Sequence, residues 1–401
     1  MKRLLAFLMA LMLLPLGAVA ETTADYSSLN EAAKPYGFFM GGCMSYGHLR
    51  DKAYQALLTD HFGSITATNE MKAYSLLNHL PSRLNKDGMP VMDYSAADRM
   101  VAWAQENGLK VRGHVLVWDA YMTDWFFRED YHPQKGYADK DTMRRRVAYY
   151  IKDVITHFET KFPGVVNCWD VVNEAVADSS AEWVAGDPRH LRKLRSGSAN
   201  LFLEHVGDDY VEYAFLCARD TVEELGADIR LFYNDYNAFY PEKRQAIENL
   251  VKSINSYATD ASGAYRTLID GVGMQGYVGG YGSQSGCMNP GDITRIKEAI
   301  QAYGALGCEV QLTEMALRNY EADKLDKHAD FYASLFRMLK TVNTAESAPF
   351  TGVTIWGLTD CNSLPRDHYS WKLNSPYGGL VDEAYAPKPA FAAVHGELTA
   401  Q

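Results

Sequence analysis

The sequence predicts a single (β/α)8 TIM barrel of the α/β class. Three observations carry that prediction. Eight short β-rich runs alternate with helical segments; no linker or shift in composition divides the chain; and most of the runs finish in polar or aromatic residues. An open doubly wound sheet would show the same alternation. Its Gly-rich phosphate turn is missing, however: after the first run the chain reads GGCMSYG, which is not GxGxxG.

In order, the runs are FFMGGCMS (38–45), SITATNE (64–70), KVRGHVLVW (110–118) and VNCWDVVNE (166–174), then IRLFYNDYN (229–237), GVGMQGY (271–277), EVQLTEMA (309–316) and GVTIWGLTD (352–360). Each is short and largely apolar, as strands buried on both faces are. Between the second and third, SAADRMVAWAQENGLK places Met100, Val101, Trp103 and Ala104 on one helical face, and Asn107-Gly108 closes it. TMRRRVAYYIKDVITHFETKF and HADFYASLFRMLKTV read the same way. Barrel active sites lie at the C-terminal ends of the strands and draw on several at once. Here those ends carry Asn69-Glu70, His114 to Trp118, Asn173-Glu174, Asn234-Asp235, Gln275, Glu314, Trp356 and Asp360.

Residues 1–20, MKRLLAFLMALMLLPLGAVA, join two basic residues to an apolar stretch and a small-residue ending. They are expected to be a signal peptide cleaved after Ala20, which would leave 21–401 as one secreted domain, periplasmic or extracellular. No cysteine follows at once to take a lipid, so no membrane anchor is expected. A net charge of -11 argues against nucleic acid as a partner, and a monomer is expected. Seven Trp and 26 Tyr supply flat apolar faces of the kind sugar rings stack on. The six cysteines form neither a CxxC pair nor a zinc-spaced cluster with histidine. Disulfides are allowed in an exported chain, but several of the cysteines sit inside apolar runs, where buried free thiols are expected; no metal and no cofactor are expected.

Among the strand-end residues there is no Ser-His-Asp set and no phosphate loop. There are two glutamates, Glu174 on the fourth run and Glu314 on the seventh, each directly after barrel residues. A pair of carboxyls across a cleft suits glycosidic bond cleavage, one protonated to serve the leaving oxygen and one ionised to attack or to activate water. Taken singly, either glutamate reads as well as a loop residue or an ion-pair partner. Asn173 beside Glu174 adds an amide that can bond a sugar hydroxyl.

WDVVNEAV, QLTEM, RGHVLVW, FYNDYN, DGVGMQG, TIWGLTD and APKPAF together resemble glycoside hydrolase family 10, the retaining β-1,4-xylanases, in the right order from about residue 38 to 392. GDDYVEYAF (207–215) resembles the segment leading that family's fourth helix. The resemblance implies Glu174 as general acid/base and Glu314 as nucleophile, with carboxyls about 5–5.5 Å apart. It implies that Asn173 holds the 2-hydroxyl of the sugar being cleaved, and that His114, Lys72 and Asn69 bind hydroxyls on the non-reducing side. Trp118 and Trp356 would pack on sugar faces, and Gln275 would bond near the nucleophile. Asn234 and Asp235 would support the site. The substrate implied is a polysaccharide, xylan or a related β-glycan. A different β-glycan, a decorated xylan, a small glycoside, or a glycan-binding barrel without turnover are the alternatives.

Four positions depart from the family pattern. Thr68 stands where an acidic sugar-binding residue is usual, and Asp119 where a histidine follows HVLVW. Tyr277 replaces a histidine that contacts the nucleophile, and Leu364 a second tryptophan over the sugar. Tyr277 can still donate to an ionised Glu314, though it cannot become a cation. Trp371 is a candidate for the missing ring. Elsewhere plainer readings hold. Glu70 reads as structural, Arg144-Arg145-Arg146 as a solvated helix face, and RHLRKLRSGS (189–198) as an exposed loop beside the cleft. Acidic side groups of a polysaccharide are a second reading of that loop.

Overall fold

A computed structural model of the chain describes residues 23–278, 288–361 and 375–400. The expected signal peptide, Leu364 and Trp371 lie outside the described residues. Eight parallel strands make the barrel: β1 (Phe39–Met44), β2 (Ser64–Ala67), β3 (Lys110–Gly113), β4 (Val166–Asn173), β5 (Arg230–Asp235), β6 (Gly271–Met274), β7 (Glu309–Leu317) and β8 (Phe350–Ile355). Neighbours pair in chain order, and β8 pairs with both β7 and β1, which closes the sheet.

Each strand is followed by a helix of the outer ring: α1 (Lys52–His61), α2 (Ser95–Glu106), α3 (Lys140–Lys161), α4 (Tyr210–Leu225), α5 (Pro241–Asn255), α6 (Gly291–Gly304), α7 (Leu325–Val342) and α8 (Pro389–Thr399). Local chemistry sets their ends. Asp51 caps α1 by accepting from the amides of Ala53 and Tyr54, and Asp139 caps α3 by accepting from Thr142. Gly226 ends α4 in the left-handed conformation that glycine adopts without strain (φ 61°). Between ring and barrel the packing is apolar, with Trp169, Ile155, Leu250 and Phe336 fully buried.

The barrel interior departs from the apolar strands the sequence suggests. Arg112 on β3 and Asp170 on β4 are buried and form an ion pair, with Arg112 Nε donating to Asp170 Oδ2 at 3.0 Å. Arg112 also donates to Gln311 of β7 at 2.8 Å. Burial alone would raise the Asp170 carboxyl, but Arg112 and His114 outweigh it and hold it below its usual range. The pair is tolerable there because each charge meets its partners directly.

The basic helix start also differs from the solvated face expected. Arg146 is buried and donates to the carbonyls of Phe126 and Arg128, and Arg144 pairs with Asp209. Only Arg145 fits the expectation. The described cysteines (Cys43, Cys168, Cys217, Cys308 and Cys361) are all free thiols; Cys287 lies outside the described residues.

Candidate active site

The C-terminal mouth of the barrel opens into a cleft of about 660 Å³. Asn69, Lys72, His114, Trp118, Glu174, Gln275, Tyr277, Glu314 and Trp356 line it, and Asn173 lies buried beside Glu174. Strand ends scattered over more than 280 positions of sequence thus meet at one place, as barrel closure requires.

Glu174 leaves the line of β4 in the left-handed region (φ 56°), a conformation that costs a side chain-bearing residue free energy. Its N–H donates to the Asn234 carbonyl at 2.9 Å, which anchors the turn. Both carboxylate oxygens are occupied: Gln275 Nε2 donates to Oε1 at 2.9 Å and Arg195 Nη1 to Oε2 at 2.8 Å. Arg195 and Arg192 also donate to the Glu174 carbonyl.

Arg195 explains one departure noted in the sequence. Asp119 grips the guanidinium with two bonds, Nε to Oδ2 at 3.0 Å and Nη2 to Oδ1 at 2.7 Å. With a carboxylate in place of the usual histidine, the chain gains a clamp that presses an arginine onto Glu174. The 189–198 segment is therefore not a simple exposed loop. Arg192 is buried and pairs with Glu182, Arg189 pairs with Asp187 and Glu212, and Arg195 is taken up by Asp119 and Glu174.

On the opposite wall Glu314 is held equally firmly. A two-residue strand, Tyr277–Val278, pairs with Ala316–Leu317 of β7 and carries the Tyr277 phenol to Glu314 Oε2 at 2.5 Å. Burial first, and the Glu314 charge second, push that phenol well above its ordinary value, so Tyr277 is a neutral donor. Asn234 Nδ2 donates to Oε1 at 3.1 Å. His114 donates from Nδ1 to Asp170 at 2.8 Å, which leaves Nε2 facing Glu314 at 4.0 Å.

Asn173 joins the two sides. Its Oδ1 accepts from Asn234 at 2.9 Å and from Gln275 at 3.4 Å. Its Nδ2 is buried and has no protein partner among the described residues. The Gln275 side chain serves Glu174, whereas its backbone carbonyl accepts the Glu314 N–H at 2.8 Å. Gln275 thus meets Glu314 through its main chain alone, and its side-chain amide reaches across to the other glutamate.

Farther along the cleft Lys72 donates to Asn69 at 3.1 Å and lies over the rings of Trp118 and Tyr121. Trp356 packs with Cys43, Tyr277 and Ala316. Glu70 is structural, as expected, accepting from the Tyr46 and Asn69 amides.

Among the parts of the site that escaped the sequence are Arg195, the Arg112–Asp170 pair behind His114, and, in the cleft wall, Tyr121, Asp178, Glu182, Arg192 and Tyr236. Arg195 lies in the basic run 189–198 read from the sequence, but nothing in that run singles it out. No group of His, Cys, Asp and Glu among the described residues has metal-binding geometry. The arrangement can bind a neutral polyol and offers two carboxyls to opposite sides of one bond.

Residues 28–397 match the family model of glycosyl hydrolase family 10. A putative endo-1,4-beta-xylanase of Caldicellulosiruptor saccharolyticus is 34% identical over 329 residues, 80% of this chain and 95% of that protein. Endo-1,4-beta-xylanase A of Thermotoga maritima is 32% identical over 93% of this chain, which spans only 31% of that longer protein. Among solved structures, the CBM22-1–GH10 modules of the Clostridium thermocellum N-terminal endo-1,4-beta-D-xylanase 10B, complexed with xylohexaose, superpose with a TM-score of 0.76. They are 25% identical, with 93% of this chain and 67% of that chain covered.

Proposed function

The chain belongs to glycosyl hydrolase family 10, and from that membership we propose that it is an endo-β-1,4-xylanase, cleaving internal bonds of xylan with retention. The observation that carries the reading is the glutamate pair. Glu174 and Glu314, on opposite walls of one cleft, are tied through Gln275, Asn173 and Asn234. The relatives named above are xylanases, and one of the solved structures holds xylohexaose.

Glu314 attacks the anomeric carbon while Glu174 protonates the leaving oxygen, and a glycosyl–enzyme ester forms. Two groups keep Glu314 aimed without neutralising it, Tyr277 and Asn234. Glu174 becomes a carboxylate as it gives up its proton, and Arg195 stabilises that charge as it appears. In the second step the same carboxylate takes a proton from the water that releases the sugar. Asn173 Nδ2, free of protein partners among the described residues, is the donor available to the 2-hydroxyl.

Export belongs to the same reading and is supported by the basic, apolar, small-residue order of residues 1–20. Recovery of protein beginning at Glu21 from outside the cytoplasm tests it.

The test of function is release of reducing sugar from unbranched β-1,4-xylan, with Glu314→Ala run alongside. Activity lost in the variant, and partly restored with inverted stereochemistry by azide, supports the reading. Folded protein that leaves xylan intact but cleaves another β-glycan would replace the substrate and keep the carboxyl pair.

A further inference from the structure

The basic run 189–198 has a second reading, as the receptor of acidic side groups on a polysaccharide. Its folded arrangement points the other way. Around the half of the cleft past Glu174 the cations are turned inward, and carboxylates face the opening. We propose that Asp178 and Glu182 are specificity-determining residues that hold acidic side groups off the leaving half of the cleft, so that a charged branch decides where the xylan chain is cut. The proposal rests on the xylanase reading above.

Exposure is the first argument. Asp178, Glu182, Arg192 and Arg195 all line this half. The Arg192 side chain is only 1% exposed and is bound by Glu182 at 2.9 Å, whereas the Glu182 side chain is 31% exposed. Lys243 is 4% exposed and bound at 3.0 Å by Asp178, whose side chain is 35% exposed. Arg195 engages all three of its guanidinium nitrogens, two on Asp119 and one on Glu174. Arg189 pairs with Asp187 and Glu212, and Lys193 does not line the cleft.

Charge is the second. The ion pairs of this wall join the carboxylates of Asp119, Glu174, Asp178, Glu182 and Asp235 to only three cations, Arg192, Arg195 and Lys243. With Glu174 protonated for its acid role, carboxylates still outnumber cations. A uronic acid placed here meets like charge in a cleft whose protein walls weaken screening by salt. Like charges set side by side cost enough to reject one partner among otherwise equal ones.

Rigidity is the third. Glu182 Oε1 accepts from the Ser196 amide at 3.1 Å, and the Glu182 carbonyl accepts from the amides of Lys193 and Leu194. Asp178 Oδ2 accepts from Asn237 at 3.1 Å. Neither carboxylate can turn aside without leaving a buried cation unpaired.

The opposite end of the cleft gives the contrast. Thr68, Asn69, Lys72, Trp118 and Tyr121 line it, and none of these is a carboxylate. Glu70, the nearest in sequence, is turned onto the Tyr46 and Asn69 amides. An acidic branch is therefore tolerated on the fragment that stays with Glu314 and refused on the first sugars of the fragment that departs.

The experiment digests β-1,4-xylan bearing glucuronic acid branches and sequences the acidic products by mass spectrometry, with linear xylohexaose as the control substrate. It is run at about pH 7, where Asp235, raised by burial to about 6, is ionised. Almost all acidic products of the unaltered enzyme should begin, at the non-reducing end, with an unbranched sugar. Reducing the branch carboxyls to alcohols keeps the branch and removes its charge. Products that begin with a branched sugar should then rise about tenfold. Asp178→Asn combined with Glu182→Gln, whose amides can still accept from Lys243 and Arg192, should give the same rise on the acidic xylan. Abundant acidic products that begin with a branched sugar in the unaltered enzyme would overturn the proposal. So would reduced xylan that yields no more of them than the acidic form, since exclusion would then be steric. If folded protein leaves xylohexaose intact, the xylanase reading itself fails, and the specificity with it.

Discussion

At the scale of single residues, the decisive feature is that every donor around the two glutamates favours a carboxylate. For Glu314 that suits the nucleophile role proposed above. Tyr277→Phe removes the donor on Oε2 while keeping the ring, and should lower kcat by about tenfold to a hundredfold with little change in KM, because the lost bond matters most as charge moves. An unchanged kcat would mean that the Asn234 donor suffices. Under the proposed mechanism, the contact of Arg195 with Glu174 would assist the moment after proton donation. Arg195→Met should therefore slow xylan, with its poor leaving group, by about a hundredfold, yet slow an activated aryl xylobioside far less. Equal losses on both would show that Arg195 only binds substrate or braces its loop. Asp119→Asn, which weakens the clamp without removing the cation, should give the same pattern at smaller size. Arg195 was illegible as a site residue because a basic run in sequence looks the same whether it is solvated or folded back; only the partner, 76 positions away, distinguishes the two.

Whole elements were more legible than individual contacts, because a strand or helix is announced by a period and by its ends, both local. All eight runs read from sequence became strands β1 to β8, and the face of α2 carrying Met100, Val101 and Ala104 is the buried one. What an element touches is not local, and His328 shows the consequence. It sits in the first turn of α7 and its Nε2 donates to the Leu317 carbonyl at 2.9 Å, tying the helix to the end of β7, the strand that bears Glu314. Burial pushes this imidazole down to about 4, against the smaller opposing pull of the Leu317 carbonyl. Its Nδ1 is buried without a protein partner among the described residues, so a second proton has nowhere to bond. The unfolded chain takes up a proton near pH 6.5, whereas the folded one does not until about 4. Stability from this group is thus fully present above pH 6.5 and falls as pH drops toward 4, by about 3 kcal/mol in total. His328→Gln, which can keep the bond to Leu317 but cannot be charged, should flatten that part of the stability curve. Denaturant midpoints measured from pH 7 to pH 4 would show it, and parallel curves for the two proteins would exclude the histidine as the cause.

On the scale of the whole molecule, closure of the barrel gathers the site and also leaves the strands no room. Every barrel strand is bonded on both sides, so none can swing outward to relieve a local clash, as an edge strand could. Gly113, on β3, lies opposite Trp169 of β4 in the register. A Cβ at Gly113 would fall 2.3 Å from Cδ2 and Cε3 of the Trp169 ring, which is fully buried. Neither the ring nor the seam can move far, so Gly113→Ala should destabilise the protein by about 3 kcal/mol, the upper range of overpacking costs. Gly136 provides the contrast. Its φ is ordinary and nothing lies within 4 Å of a Cβ built there. Gly136→Ala should therefore be neutral, or stabilise by a few tenths of a kcal/mol through the unfolded chain. The two variants share one chemical change and differ only in what the new methyl meets. If urea midpoints move alike in both, the cost at Gly113 does not come from packing across a closed seam. If only Gly113→Ala moves, the same rigidity that forbids the methyl also keeps the next residue, His114, in line with Asp170 and Glu314.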